Sequence, residues 1–184
     1  MARPANQQSM RRREAPEVRV EQLLDAAEEM LLSRGPQASI AEIAETAGVA
    51  KGTLYLYFKS KQELLTALRQ RYVEGIESKV RKAVDSASAA DRTHDAVVAL
   101  VTAGSERPEL HHLLFQEAGQ SEDDAFGPIR DLLLEIVGPK ASEFTTEFVL
   151  GGVHAAMIHA AHVPKVHRAQ VAEDTARLVS SLTK

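Results

Sequence analysis

The chain has 184 residues, 44% of them hydrophobic, and a formal net charge of -4, which suits one ordinary domain with a small companion and allows a real core. It has no cysteine and no tryptophan, which excludes a disulfide framework, a thiolate metal site and a cysteine nucleophile, and fits a reducing cytoplasm. The acid is unevenly spread: through residue 65 there are nine Lys/Arg against nine Asp/Glu, leaving 13 (22 minus 9) against 17 (26 minus 9) in the remainder.

The first thirteen residues contain Arg3, Arg11, Arg12 and Arg13 and no acid, so residues 1–16 read as a disordered basic arm. They lack the apolar stretch of a signal peptide, and no later run is long and uninterrupted enough to span a bilayer, so no membrane association is expected. Val20, Leu23, Leu24, Ala27, Met30 and Leu31 recur at intervals of three and four and predict a helix over residues 17–34, opened by Pro16 and closed by Gly35-Pro36. Ser39 with Glu42 forms a capping box before a short second helix lined by Ile40, Ile43, Ala44 and Ala47 and stopped at Gly48. A third helix follows over residues 50–58. A second capping box, Ser60 with Glu63, opens a long fourth helix with Leu64, Leu68, Tyr72, Ile76, Val80 and Val84 on one side.

After a break at residues 85–91, helices are predicted over 96–103 and 110–118, separated by Gly104 and Pro108. Residues 119–127 are acidic and poor in apolar side chains. A helix over 129–137 ends at Gly138-Pro139, and two longer helices over 142–162 and 166–182 are divided by Pro164. No strand-like alternation occurs, so the expected fold is all-α.

Ala44, Gly48 and Leu54 stand where a helix-turn-helix needs a small crossing residue, a glycine able to take positive φ, and an apolar anchor on its second helix. At 100° per residue Leu54 and Phe58 share one side of the third helix, whereas Gly52, Tyr55 and Leu56 share the other. An outward glycine lets a backbone approach another surface, and Lys51, Thr53, Tyr55 and Tyr57 surround it with charge and hydroxyls. A DNA major groove fits that pattern.

The string IAETAGVAKGTLYLYFKSKQELL, residues 43–65, resembles the N-terminal signature of the TetR family of transcriptional regulators, and the likeness covers residues 20–65. The resemblance implies an all-helical homodimer: a helix-turn-helix DNA-binding domain, residues 17–62, followed by a larger helical effector-binding and dimerisation domain, residues 63–184. Lys51 and Thr53 would then reach base edges, Tyr55 and Leu56 a thymine methyl or sugar, and Tyr57 and Lys61 phosphates. Ser39 would cap its helix and touch a phosphate, and Arg11, Arg12 and Arg13 would enter a minor groove or add non-specific attraction. Ordinary solvent exposure is the alternative for each. Ala50 stands where the family usually has serine, which removes a helix cap worth about 1 kcal/mol.

In the C-terminal part, Gly151, Gly152, Ala155 and Ala156 permit close helix approach, and with Val171, Thr175, Leu178, Val179 and Leu182 they could form a dimer bundle or pack within one chain. The family's effector cavity implies His111, Phe115 and Gln116 as lining residues, against plain core packing. Few aromatics favour an aliphatic pocket. His159 and His162 share a helix face while His154 lies about 140° away, so the histidines predict no metal site. The expected function is that of a ligand-responsive regulator, with double-stranded operator DNA, a second copy and a small-molecule effector as partners, no cofactor and no enzymatic activity. Two alternatives remain: an effector-independent architectural or activating DNA-binding protein, and a histidine-based metal protein.

Overall fold

The computed structural model describes residues 15–88, 90–115, 127–137 and 142–182. The expectations at Arg11, Arg12 and Arg13, at Gln116 and the acidic stretch after it, and at Gly138-Pro139 lie outside the described residues. Among the described residues the chain is all-helical: nine α-helices, one short 3-10 turn and no strand.

The first helix, α1 (Pro16–Arg34), has proline in its first turn, where no amide partner is needed, and ends at Gly35 with φ 64°. A 3-10 turn, Gly35–Gln37, leads to α2 (Ile40–Thr46). The Ser39 box is complete: its hydroxyl accepts from the Glu42 amide at 3.3 Å, and the Glu42 carboxylate accepts from the Ser39 amide at 2.8 Å. Gly48, at φ 68°, makes the turn into α3 (Lys51–Tyr57). Helix α4 (Lys61–Ser86) starts on a box that is only half built: the Ser60 hydroxyl accepts from the Glu63 amide at 3.0 Å, but the Glu63 carboxylate takes the Lys59 amide at 2.6 Å instead of that of Ser60.

The helices α5 (Arg92–Ser105), α6 (Pro108–Phe115), α7 (Gly127–Val137), α8 (Glu143–His162) and α9 (Lys165–Leu182) complete the chain. Gly104 does not separate two helices as expected; α5 runs through it and stops at Ser105. The reason is packing rather than turn formation. A Cβ on Gly104 would lie 1.8 Å from Cε of Met157, so the missing side chain is what lets α8 come close.

Two apolar cores result. The first joins α1, α2 and α3 to the start of α4 and includes Leu23, Leu24, Ile43, Leu54 and Leu64. The second surrounds α5, whose Val97, Leu100 and Val101 are fully buried among α4, α7, α8 and α9. Leu110 and Leu114 of α6 belong to the first core although α6 lies far along the chain. Tyr72 and Phe115 pack against both. Among the described residues no helix is long and apolar enough to cross a membrane.

Candidate nucleic-acid interface and effector cavity

The N-terminal head holds α3 by its inner side. Leu54 is fully buried and Phe58 nearly so, against Ala44 and Ile43 of α2. The turn is tied by the Gly48 amide to the Glu45 carbonyl and the Val49 amide to the Ala44 carbonyl, both at 2.9 Å. Helix α3 is thus a rigid ridge whose outer side is free. A Cβ on Gly52 would meet nothing within 4 Å, and beside it Lys51 and Tyr55 are exposed and Leu56 is 83% exposed. The Lys51 ammonium sits 5.8 Å from the Tyr55 ring centroid, a cation–π approach.

The other candidates are placed less simply. Thr53 and Tyr57 are half-buried on the flanks of the ridge. The Lys61 ammonium donates to the Pro36 carbonyl across the turn before α2, which puts a positive group beside the start of α2. Ser39 is exposed there, its hydroxyl already engaged in the capping box. That box, first through the Ser39 backbone amide and then through its side chain, lowers the pKa of Glu42. Lys59, exposed between α3 and α4, is a cation that the sequence reading passed over. Its position beside the ridge was visible only in the string FKSK.

In the body, α6 and α8 flank a half-open cavity of about 440 Å³. Pro108, Phe115, Met157, Ile158 and Ala161 give it apolar walls, and His111 and His154 stand together at one side. His111 and Phe115 therefore both line it. The histidines, which spacing along one helix scatters, are brought into contact between two: Nε2 of His111 lies 3.0 Å from Nε2 of His154. The Tyr72 hydroxyl approaches Nδ1 of His111 at 3.2 Å and the Gly104 carbonyl at 3.4 Å. Burial, and then the nearby His154 and His112, pulls the His111 pKa down to about 4. Burial also lowers that of His154 and pushes Tyr72 up to about 12. The pair is neutral near pH 7. Among the described residues no three histidine or carboxylate side chains converge as a metal site would require.

Helix α6 connects cavity and head. Leu110 and Leu114 face the head's core while His111 and Phe115 face the cavity, and the Leu114 carbonyl accepts from Nε of buried Arg69 at 3.1 Å. Just before α6, Arg107 pairs with Glu28 of α1. Glu28 also accepts from Arg71 of α4 at 3.1 Å, and Arg71 reaches Asp25 at 2.7 Å and Glu21 at 3.1 Å. Burial alone would lower the Arg71 pKa, but its hydrogen bonds to Asp25 and Glu21 outweigh this and raise it.

One surface of α8 and α9 is apolar and uncovered. Phe144 and Phe148 are 77% and 60% exposed with ring centroids 6.1 Å apart, and Gly151, Gly152, Ala155 and Ile158 extend their side of α8. Leu178 and Leu182 are exposed on α9. Val179 is different: it is buried in the chain's own core, where Ala156 and Val171 also pack in part, and the Thr175 hydroxyl is turned back to the Val171 carbonyl at 2.7 Å. The aromatic pair was not among the residues expected on this surface. Two phenylalanines four apart on one helix were the available signal.

An exposed ridge on a three-helix head, borne by a larger helical body with its own cavity, is the layout of a helix-turn-helix DNA-binding unit carried on a separate helical body. Residues 23–68 match the family of bacterial regulatory proteins called the tetR family. The chain is 48% identical over 64 residues to the HTH-type transcriptional activator FasR of Mycolicibacterium smegmatis, covering 34% of this chain and 29% of that protein. It is 31% identical over 103 residues to the HTH-type transcriptional repressor KstR2 of Mycobacterium tuberculosis, covering 54% of this chain and 50% of that protein. The chain thus spans half or less of the length of these curated relatives. The fold is similar to the solved structure of the fatty acid degradation regulator FadR from Bacillus halodurans, with a TM-score of 0.70 at 19% identity over 90% of this chain and 95% of that one. The helix-turn-helix unit of the chain, residues 23–68, belongs to the tetR family of bacterial regulatory proteins, and the helical body behind it has the fold of solved structures of such regulators.

Proposed function

We propose that the protein is a homodimeric cytoplasmic regulator that binds a pseudo-palindromic operator through two copies of α3 and is released from it by a small molecule in the α6–α8 cavity. The observation that carries the reading is the α3 ridge, with open space at Gly52 beside exposed Lys51, Tyr55 and Leu56 on a core anchored by Leu54 and Phe58. A backbone without a Cβ can approach a groove floor, and the flanking side chains then meet base edges and phosphates. Lys51 and Thr53 are assigned to bases, Tyr55 and Leu56 to a thymine methyl or sugar edge, and Tyr57, Lys61 and Ser39 to the phosphate walls. The basic arm of Arg11 to Arg13 supplies salt-sensitive attraction. On this reading residues 17–62 form the DNA-binding domain and residues 63–184 the sensing and dimerising one.

Release follows from linkage. A ligand that prefers the arrangement with wrongly spaced heads draws the population there, and one with no preference shifts nothing. Helix α6 suits the role of transmitter because a displacement of His111 or Phe115 also moves Leu110 and Leu114 in the core beneath the ridge. The relatives include both an activator and a repressor, so an activating output is the second reading.

The test is selection of bound sequences from a random duplex library by the purified protein, then salt titration of the recovered site and a Thr53→Ala control. An inverted repeat whose binding weakens with salt and drops with Thr53→Ala supports a dimeric sequence reader. Folded, ligand-free protein that enriches no sequence would remove DNA reading as the function. A promoter carrying the site upstream of a reporter then separates repression from activation.

A further inference from the structure

The contact between His111 and His154 sets a chemical requirement on what enters the cavity. Two neutral imidazoles whose Nε2 atoms lie 3.0 Å apart must present one N–H to one lone pair. Tyr72 determines which ring does which: if its hydroxyl donates to the Gly104 carbonyl, Nδ1 of His111 carries the proton and His111 accepts at Nε2, whereas a hydroxyl donating to Nδ1 makes His111 the donor. In both cases the wall offers one donor opposite one acceptor.

A ligand group that parts the rings has to satisfy both. A hydroxyl accepts from one Nε2–H and donates to the other Nε2. A ketone or carboxylate accepts only, so both rings would have to turn an Nε2–H toward it, which for His111 obliges Tyr72 to donate to Nδ1 rather than to Gly104. An ammonium donates only and needs a lone pair at both rings. The rest of the wall is apolar apart from His112, His162 and one carboxylate, Glu109, and among the described residues lining it there is no lysine or arginine. An anion would be desolvated here without a fixed cation.

We propose that this cavity takes an uncharged, mainly apolar alcohol or phenol whose hydroxyl inserts between His111 and His154. The inference rests on reading the cavity as the effector site. Its volume of about 440 Å³ is that of a small-molecule pocket. Insertion replaces one direct bond by two bonds through an oxygen, each about 2.8 Å long, so the two rings must separate by roughly 2 Å. His154 is the less buried partner, while His111 rides on α6, whose other side is set in the head's core. Ligand entry therefore strains the element that joins cavity to ridge.

Calorimetric titration of the full chain with octan-1-ol, octan-2-one, octanoate and octylammonium tests the assignment. Octan-1-ol binds at least about fivefold more tightly than octan-2-one, as one satisfied hydrogen bond requires, and both ions bind more weakly still. His154→Phe brings alcohol and ketone within about twofold of each other, while His154→Gln, whose amide both donates and accepts, retains the preference. The histidine ¹⁵N shifts of the wild-type chain change at His111 and His154 with octan-1-ol, a readout independent of either variant. Octanoate or octylammonium binding most tightly overturns the proposal, as does a ketone equal to the alcohol, an alcohol preference surviving in His154→Phe, or no binding of any probe. Zn²⁺ bound by the wild type and not by His154→Phe reassigns the pair to metal. Operator selection without additives is scored separately, so loss of DNA reading sinks the regulator and leaves the alcohol site standing or falling on its own titration.

Discussion

His111 concentrates the chemistry of the body in one side chain, and its burial has a thermodynamic consequence. Above about pH 6.5 the ring is neutral in both folded and unfolded chains. As pH falls from there toward 4, the unfolded chain takes up a proton that the folded site refuses, so stability declines through that window. The lowered pKa of His154 acts in the same direction. Urea unfolding of the wild type and of His111→Leu, each at pH 7.5 and 5.0, isolates the effect: the wild type loses about 2 kcal/mol more than the variant on acidification. Equal losses would mean that His111 protonates freely in the folded state. None of this was legible in the sequence, where His111 and His154 stand 43 positions apart and nothing local announces their contact. Leu54 and Phe58, by contrast, were readable as anchors from helical spacing alone, because their burial is decided within one turn of their own helix. Arg69 shows the limit from the other side: an arginine between apolar positions reads as solvent-facing, yet it is buried because the Leu114 carbonyl, supplied from a distant helix, receives it.

At the scale of elements, the helix starts marked by a serine cap, at Ser39 and Ser60, were legible, whereas α5, with no side-chain cap bond, begins at Arg92, four residues before its expected start, and these differences predict how the starts respond to substitution. Ala50 already has the extended N-cap backbone, φ -67° and ψ 146°, but offers no acceptor to α3. Ala50→Ser therefore stabilises the chain by about 0.5–1 kcal/mol in urea unfolding and, through the added hydroxyl at the ridge, does not weaken operator binding. No gain in stability would show that the α3 amides are already satisfied. The partial box at Ser60 illustrates why pattern stops short of geometry: the spacing to Glu63 was correct, but the Glu63 carboxylate takes the amide of Lys59, one residue before the cap. Gly104 was misread for a related reason. Glycine weakens a helix locally, and only knowledge of the crossing helix reveals a close approach. Gly104→Ala gains up to about 1 kcal/mol of helix propensity and must displace the flexible end of Met157 toward the cavity, so its net effect stays within about 1 kcal/mol. A loss above about 3 kcal/mol in urea unfolding would mean that Met157 has nowhere to go.

For the whole molecule, the decisive question is what covers the apolar surface of α8 and α9. Phe144 and Phe148 are exposed on α8 together with Gly151, Gly152 and Ala155, and Leu178 and Leu182 are exposed on α9, and apolar side chains grouped in this way are costly to leave in water. A second copy is the occupant that suits both the surface and the head. An isologous interface is self-complementary by symmetry, the glycines allow the backbones of two α8 helices to approach, and two copies place two ridges on one duplex. Phe148→Glu and Leu178→Glu put a carboxylate into that interface without touching either core, since both positions are exposed in the single chain. Helicity and urea midpoint at low protein concentration then stay close to wild type, while sedimentation changes from dimer to monomer. Operator affinity falls by about a hundredfold or more in the same variants, because two linked half-site contacts become one. A variant that stays dimeric would place the interface elsewhere. One that becomes monomeric yet binds the operator as tightly would mean that a single ridge suffices, and the coupling from cavity to DNA would then have to run through α6 within one chain rather than through the spacing of two heads.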